Sequence, residues 1–244
     1  MILAIDAGNS RVKWGLHDGL TWLRHDSADN RDVGALGEVW RQLEPPAQIV
    51  ISNVAGGEMR ASLARLLSTW AVAPLWVTAQ ASALGVQNAY DDPAQLGSDR
   101  WAALLAAWDV LAAGCLVVNA GTALTVDVLS DQGEFLGGII VPGPTAMQHA
   151  LFANTALPEQ PSGCFKLLPT NSADAIHSGA LRALAGAVEG MWRELLRSGA
   201  REPRCVLSGG AAPLLAELLT LPIVAVDNLV LEGLVKIARQ AETL

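Results

Sequence analysis

The segment Met1–Gly19 restricts the fold more than any other part of the sequence, because it predicts two short strands joined by a polar turn. Ile2–Ile5 are apolar and lead into Asp6-Ala7-Gly8-Asn9-Ser10, after which apolar and polar residues alternate as far as Leu16. Such alternation is typical of a strand with one buried face, and Asp18-Gly19 is a common hairpin pair. We therefore expect strand, sharp turn and strand, with a carboxylate at the turn.

Two interpretations of this turn are open. In one, Gly8 lets backbone N–H groups approach a phosphate closely, and Asp6 meets a divalent cation bound to that phosphate. In the other, the segment is an ordinary hairpin whose Asp and Asn side chains make local turn hydrogen bonds. A single D-x-G-N-S segment does not decide between them.

Composition excludes several classes of protein. Hydrophobic residues make up 51% of the 244 residues and charged residues 16%, which suits one large or two small folded domains. The net charge of -8 opposes binding to nucleic acids and to anionic membranes. The three cysteines lack metal-ligand spacing and are expected to be reduced and buried. Asp6 and Arg11 interrupt the N-terminus too early for a signal peptide, so we expect a cytoplasmic protein.

The opening pattern recurs later in the chain. Val117–Ala123 has the layout of Ala4–Ser10, with Gly121 at the position of Gly8, and a second strand and a Gly-containing turn follow in both copies. Short matches of this kind also arise by chance. We expect two similar halves facing each other, residues 1–113 and 114–244.

A looser pair of segments supports the duplication. Ile49–Val54 and Cys205–Gly210 are both short apolar strands that end on serine and small or polar residues. Hairpins followed by alternating helices and strands predict an α/β fold of mixed sheets covered by helices. The helical segments predicted from apolar spacing are Arg31–Leu43, Glu58–Trp70, Ser98–Ala113, Ser172–Ser198, Ala211–Leu219 and Asn228–Thr243, and Pro158–Gly163 is predicted to be a loop.

Gly97-Ser98-Asp99-Arg100 stands at the start of a predicted helix. The helix dipole favours a carboxylate in the first turn, so we expect Asp99 to be ionised and able to accept or orient a hydroxyl proton. The Arg100 guanidinium has the geometry to bind a substrate carboxylate. The alternative is a capped helix start with an exposed ion pair.

The segment Gly121–Asp127 offers a second candidate phosphate site. Thr122 has a hydroxyl and a backbone N–H for a phosphate, and Asp127 is expected to face a cleft opposite Asp6. The alternative is a Thr-rich strand that carries an aspartate at its end.

Taken together, D-A-G-N-S, G-S-D-R at a helix start, and G-T-A-L-T-V-D followed by G-G-I-I-V-P-G resemble the type III pantothenate kinase family, also known as the CoaX or Bvg accessory factor group. The resemblance runs in order from Met1 to about Gly210. It implies the duplicated ribonuclease-H-like fold of the acetate and sugar kinase, Hsp70 and actin superfamily. It also implies a homodimer that phosphorylates pantothenate with ATP, the first step of coenzyme A synthesis.

The resemblance also implies roles for individual residues. Asp99 matches the general base, and Tyr90 matches a substrate-contacting tyrosine. Ser172 stands where the family has the threonine of an element that reaches pantothenate from the partner subunit. Asp127 matches the third acidic residue, and together with Asp6 it is expected to hold magnesium, directly or through water. The expected ATP-binding residues are Asp6, Ala7, Gly8, Asn9, Ser10, Arg11, Val12, Lys13 and Thr122, and the expected pantothenate motif is Gly97, Ser98, Asp99 and Arg100.

Asn119 departs from the family pattern. Many members have an aspartate there that helps to bind a monovalent cation, K⁺ or NH₄⁺. An amide keeps an oxygen ligand but loses the charge, so we expect a weakened or absent potassium requirement.

Two other functions are considered: a phosphatase or nucleotide hydrolase of the same superfamily, and a non-catalytic regulatory protein. The presence of Asp6, Asp99 and Asp127 argues against an inactive relative, and the acidic charge argues against direct DNA binding.

Overall fold

The computed structural model describes residues 1–157 and 163–242, and these form two compact units. The first unit comprises Met1–Val110 together with the chain from Asn228 onward, and the second comprises Leu111–Asp227. From Met1 to Leu111, the helices and strands are β1 (Ile2–Ala7), β2 (Arg11–His17), β3 (Trp22–Asp29), a 3₁₀ helix (Asn30–Ala35), α1 (Leu36–Trp40), β4 (Gln48–Asn53), α2 (Gly57–Leu67), β5 (Leu75–Trp76), β6 (Ser82–Ala83), β7 (Val86–Asn88), a second 3₁₀ helix (Pro93–Gln95) and α3 (Ser98–Leu111).

The elements that follow are mostly those of the second unit. They are β8 (Cys115–Ala120), β9 (Ala123–Leu129), β10 (Glu134–Pro142), α4 (Pro144–Asn154), α5 (Ser172–Arg197), β11 (Arg204–Ser208), α6 (Ala212–Ala216), β12 (Ile223–Ala225) and α7 (Leu229–Glu242). Helix α7 contacts β1 and β4 of the first unit. The sequence-based division into residues 1–113 and 114–244 assigned this helix to the C-terminal half instead.

The strand order of the first unit's five-stranded mixed sheet recurs among five strands of the seven-stranded sheet. In the first unit the order is β3-β2-β1-β4-β5, with the β1–β2–β3 pairings antiparallel and the β1–β4–β5 pairings parallel. The corresponding strands of the second unit lie in the order β10-β9-β8-β11-β12, with the same alternation of directions. The internal repeat is therefore a repeat of topology. Strands β4 and β11 occupy equivalent places, which confirms the looser pair of segments as well.

The core of the first unit explains the burial of its central strand. Leu3, Ile5 and Ala7 of β1 pack on one side with Trp40 of α1 and Leu63 of α2. Since successive side chains of a strand point to opposite faces, the other three residues of β1, Asp6 among them, face the opposite side of the sheet. All six residues of β1 are buried, so Asp6 lies in a strand that is covered on both faces.

The second unit is built in the same way. Leu116 and Val118 of β8 and Val126 of β9 pack against Leu184 and Val188 of α5. Helix α5 runs unbroken from Ser172 to Arg197, although it contains glycines at positions 179, 186 and 190. Burial of one apolar stripe along the helix outweighs the modest helix propensity cost of those glycines.

Several details differ from the sequence-based expectations. Helix α4 was not predicted; its signal is Pro144, a residue type that is favoured in the first turn of helices. Cys164 is exposed rather than buried, whereas Cys115 and Cys205 are buried as expected. A loop is expected over Pro158–Gly163, and residues 158–162 of it lie outside the described part of the chain. None of the described helices is long and apolar enough to cross a bilayer.

Helix α7 approaches α3 so closely that only glycine fits at Gly233, where an added Cβ would overlap the backbone carbonyl of Ala102. We predict that Gly233→Ala lowers the free energy of unfolding by about 1–3 kcal/mol, the usual cost of overpacking. The matched control is Gly186→Ala in α5, where no described atom lies within 4 Å of the new Cβ. Urea unfolding should show that the control is neutral or stabilised by up to about 1 kcal/mol; equal effects of the two changes would contradict the close approach.

Candidate active site

Asp6 is the most unusual charged residue of the first unit. Its side chain is only 9% exposed, and no residue in the described part of the chain hydrogen-bonds to its Oδ1 atom. The pKa of Asp6 is raised to about 7, chiefly by burial and next by the nearby Asp99 carboxylate, while Lys13 and the Ser52 hydroxyl lower it. A buried, unpaired carboxylate oxygen is costly unless a ligand completes it, so this atom marks the candidate site.

Lys13 and Ser52 flank Asp6 on the two neighbouring strands. In the sheet register, Asp6 pairs with Lys13 of β2 and with Ser52 of β4. The three residues form one row across the sheet at the end of β1. The second unit has a similar row, in which Asn119 pairs with Thr125 and Ser208. The uncharged Asn119 therefore occupies the position that corresponds to Asp6.

The turn between β1 and β2 is fixed by hydrogen bonds that the sequence did not reveal. Gly8 N donates to the carbonyl of Arg11 (3.1 Å), and Asn30 donates from its backbone to Ser10 O (3.0 Å) and from its side chain to Gly8 O (2.9 Å). An added Cβ at Gly8 would lie 3.4 Å from the Arg11 carbonyl oxygen, an ordinary contact. Packing within the turn therefore does not require glycine at this position.

Asp99 lies in the first turn of α3 and is half-buried, and its Oδ1 accepts a hydrogen bond from Arg100 N (2.8 Å). Burial raises the pKa of Asp99, while the backbone N–H and the guanidinium of Arg100 lower it. Burial thus opposes the helix-dipole effect that was expected to keep Asp99 ionised. Glycine is required at position 97 for a steric reason, because a Cβ there would lie 2.6 Å from Asp99 Oδ1.

Arg100 does not form the exposed ion pair that was the alternative expectation. It is only 6% exposed, and its Nη1 donates to the Tyr90 hydroxyl (3.0 Å). Its guanidinium carbon lies 5.9 Å from the centroid of the Tyr90 ring. Tyr90 and Arg100, which are ten residues apart in sequence, are therefore neighbours beside Asp99.

Ser98 and Ser52 connect α3 to the sheet. Their Oγ atoms are 2.9 Å apart, and both side chains are buried. Ser98 is expected to contact substrate, which stays a prediction, and the structure places its hydroxyl within hydrogen-bond distance of Ser52. Sequence reasoning missed Ser52; its signal was the serine that ends both strands of the looser repeat.

Three expected residues of the second unit, Asn119, Thr122 and Asp127, lie in the β8–β9 hairpin, and Ser172 lies at the start of α5. Thr122 is exposed in the turn, where Gly121 N donates to Ala123 O (2.9 Å) and Gly143 N donates to Thr122 O (2.9 Å). Asp127 is only 1% exposed, and the register places it with Asn119 on the face away from the α5 core. Ser172 is exposed at the start of α5, and Asn171 caps this helix by accepting from Asp174 N (2.9 Å).

The described residues 1–157 and 163–242 contain no group of three or more His, Cys, Asp or Glu side chains that could hold a metal ion. Magnesium at phosphoryl-transfer sites commonly uses one or two carboxylates together with substrate phosphates. Asp6, with its unpaired and buried Oδ1, fits the role of one such carboxylate.

We predict that Asp6→Asn stabilises the metal-free protein above neutral pH. The pKa of Asp6 is raised in the folded state, so folding favours the protonated carboxyl group. The resulting contribution to the free energy of unfolding is complete below the unfolded pKa of 3.8 and is lost as the pH rises through about 7. The gain in the variant should grow over this range and then level off. At about 1.4 kcal/mol for each pKa unit, its upper limit is roughly 4 kcal/mol.

Urea unfolding in chelator at about pH 5, 6 and 8 measures this difference. The control is Asp18→Asn, because hydrogen bonds from Thr21 N and Leu20 N lower the pKa of Asp18. Its effect should be destabilising and constant over the same pH range, since Asp18 is ionised throughout. A gain in Asp6→Asn that does not change with pH would contradict the burial of an ionisable carboxyl group.

Comparison with known proteins identifies the family. A profile of the type III pantothenate kinase family matches residues 2–194. The type III pantothenate kinase of Nitrosospira multiformis is 50% identical over 240 residues, which cover 98% of this chain and 92% of that protein. The type III pantothenate kinase of Nitrosomonas eutropha is 48% identical over 242 residues, with 98% and 94% coverage.

Solved structures show the fold. A Campylobacter jejuni protein described as a Baf family transcriptional activator aligns with a TM-score of 0.62 at 20% identity, covering 99% of this chain and 100% of that one. MreB 5 of Spiroplasma citri, bound to AMPPNP, aligns with a TM-score of 0.53 at 11% identity, covering 99% and 97%. These alignments confirm the expected α/β fold of mixed sheets flanked by helices. By sequence, this chain belongs to the type III pantothenate kinase family.

Proposed function

We propose that this protein transfers the γ-phosphoryl group of ATP to the primary hydroxyl of pantothenate, giving 4′-phosphopantothenate. Membership of the family supports the reaction. The observation that carries the assignment of residues is the proximity of two buried or half-buried carboxylates, Asp6 and Asp99, on one unit. One has an unpaired oxygen suited to a cation, and the other stands beside Arg100 and Tyr90.

Asp99 is the proposed general base. In a loose phosphoryl-transfer transition state the base acts mainly by position, because little proton transfer is needed before the bond to phosphorus forms. The hydrogen bond from Arg100 N fixes one oxygen of Asp99. The other oxygen is then proposed to receive the hydrogen bond of the pantothenate hydroxyl and its proton during transfer.

Asp6 is the proposed magnesium ligand, with Asp127 as a second candidate, directly or through water. Magnesium at such a site neutralises phosphate charge and orients the phosphates. Ionised Asp6 is needed for this role, and both Lys13 and the Ser52 hydroxyl favour the ionised form.

The ATP phosphates are proposed to lie at the β1–β2 turn, in contact with Asn9, Ser10 and Lys13, and near Thr122. The N–H groups of Gly8 and Gly121 already donate within their own turns. Packing inside the β1–β2 turn does not demand glycine at Gly8. Close approach of a phosphate gives a reason for a residue without a side chain there.

Pantothenate is proposed to bind against Arg100 and Tyr90, with its carboxylate on the Arg100 guanidinium. We further propose that the enzyme works as a cytoplasmic homodimer, in which Ser172 of one subunit reaches the substrate bound to the other. Ser172 is exposed at the start of a capped helix, which is compatible with a contact outside its own subunit.

A coupled assay of ADP release, with and without pantothenate, tests the proposed function. Release that depends on pantothenate supports the kinase. Release without pantothenate indicates a nucleotide hydrolase, and no release under either condition indicates a non-catalytic protein.

We predict that Asp99→Asn lowers kcat by roughly 10²–10⁴-fold, the usual contribution of a positioned acid–base group. The matched control is Asp109→Asn on the same helix, which removes only a surface ion pair with Lys236. Steady-state kinetics should show normal turnover in the control. Near-normal turnover in Asp99→Asn would remove Asp99 from the role of base.

We also predict that activity persists in buffer without sodium, potassium or ammonium, because the amide of Asn119 lacks the charge that favours a monovalent cation. Asn119→Asp should introduce stimulation by potassium, since it restores a carboxylate beside Thr125 and Ser208 in the sheet register. Initial rates over a potassium titration compare the two proteins. Complete loss of wild-type rate without these cations would contradict the prediction.

A further inference from the structure

We propose that Ser52 and Ser98 are positioning residues, whose hydroxyl groups form a buried chain that orients the Asp6 carboxylate and ties the helix carrying Asp99 to the same strand. This inference rests on the proposed roles of Asp6 and Asp99. It assigns a task to Ser52, which the sequence analysis did not name as a site residue, and gives Ser98 a role besides its expected contact with substrate.

The geometry of the chain is well defined. Ser52 is fully buried and Ser98 is 7% exposed, and their Oγ atoms are 2.9 Å apart. Ser52 lies directly beside Asp6 in the parallel pairing of β1 with β4, and its hydroxyl lowers the pKa of Asp6. Three side chains from β1, β4 and α3 are thereby linked, although they are far apart in sequence.

The direction of the hydrogen bonds follows from the chemistry of the groups. A serine hydroxyl has one proton to donate, and an ionised carboxylate can only accept. When Asp6 is ionised, Ser52 therefore donates to Asp6, and Ser98 must donate to Ser52. The chain runs Ser98 to Ser52 to Asp6, and it delivers one oriented donor to the carboxylate.

This arrangement leaves the Oδ1 atom of Asp6 without a protein partner in the described part of the chain. A single donor on one side of the carboxylate limits its rotation and so holds Oδ1 toward the site. The neighbouring residue, Asp99, moves with Ser98 because both lie in the first turn of α3. The two serines thus influence the orientation of Asp6 and its separation from Asp99.

A structural role and a positioning role make different predictions. If the two serine hydroxyl groups only hydrogen-bond to each other, replacing both serines by alanine removes the donor and the acceptor together. Such a replacement can be nearly neutral for stability. If they position Asp6, the same double variant remains folded but binds the metal complex poorly and turns over slowly. Loss of groups that orient metal ligands commonly costs 10–100-fold in affinity or activity.

The experiment compares Ser52→Ala, Ser98→Ala and the double variant with the wild type. The readouts are kcat, the KM values for ATP and pantothenate, thermal unfolding, and binding of Mn²⁺ in the presence of ATP, followed by the electron paramagnetic resonance of free Mn²⁺. The control is Ser130→Ala, which removes a buried hydroxyl that accepts from Gln132 N and Glu134 N in the second unit.

We expect Ser52→Ala and the double variant to weaken Mn²⁺ binding and to lower kcat by roughly 10-fold or more. Ser98→Ala should have a smaller effect, because Ser52 still donates to Asp6. KM for pantothenate should stay within about twofold, since Arg100 and Tyr90 are untouched. Ser130→Ala should change only the unfolding temperature.

Wild-type Mn²⁺ affinity and kcat in the double variant would overturn the proposal, whatever the unfolding temperature. An effect of Ser98→Ala on kcat as large as that of Ser52→Ala, with Mn²⁺ binding unchanged in both, would also overturn it, because the order of the chain would be wrong. Failure of the proposed function is distinguishable, since it shows in the wild type as ADP release that is absent or independent of pantothenate.

Discussion

The Asp6 carboxylate is buried at the end of β1, with one oxygen unpaired and a second carboxylate, that of Asp99, close enough to raise its pKa. Removing such a group from water costs free energy that apolar packing does not recover. Lys13 and Ser52, one on each neighbouring strand, offset part of this cost. A fold tolerates a remaining deficit of this kind where a ligand completes the site, so the local instability and the proposed chemistry have the same origin.

The two units show how one topology serves two roles. Each has a hairpin, a third antiparallel strand and two parallel strands in the same order. The row across the sheet is Lys13, Asp6 and Ser52 in the first unit, and Thr125, Asn119 and Ser208 in the second. The sheet geometry repeats while the charge does not. The first unit therefore contains the paired carboxylates, and the second presents an uncharged row of hydroxyl and amide groups.

Glycines at several junctions are explained by close approach. Gly97 leaves room for the Asp99 carboxylate, and Gly143 fits against the backbone carbonyls of Gly121 and Thr122. Gly233 lets α7 lie directly on α3. At each of these positions the sequence signals that a side chain is excluded, but the group that excludes it becomes known only from the folded chain.

Local sequence patterns were sufficient to predict the strand–turn–strand units, the starts of α3 and α5, the duplicated α/β fold and the family, because periodicity, capping residues and short motifs are local properties. The folded chain then placed α7 in the first unit, the Asn30 side chain on the β1–β2 turn, and the Ser98 hydroxyl against that of Ser52. It also decided that Asp99 has its pKa raised by burial, where the local helix dipole alone predicted the opposite effect. These outcomes depend on contacts between residues distant in sequence and on the water excluded by packing, and local patterns carry no information about either.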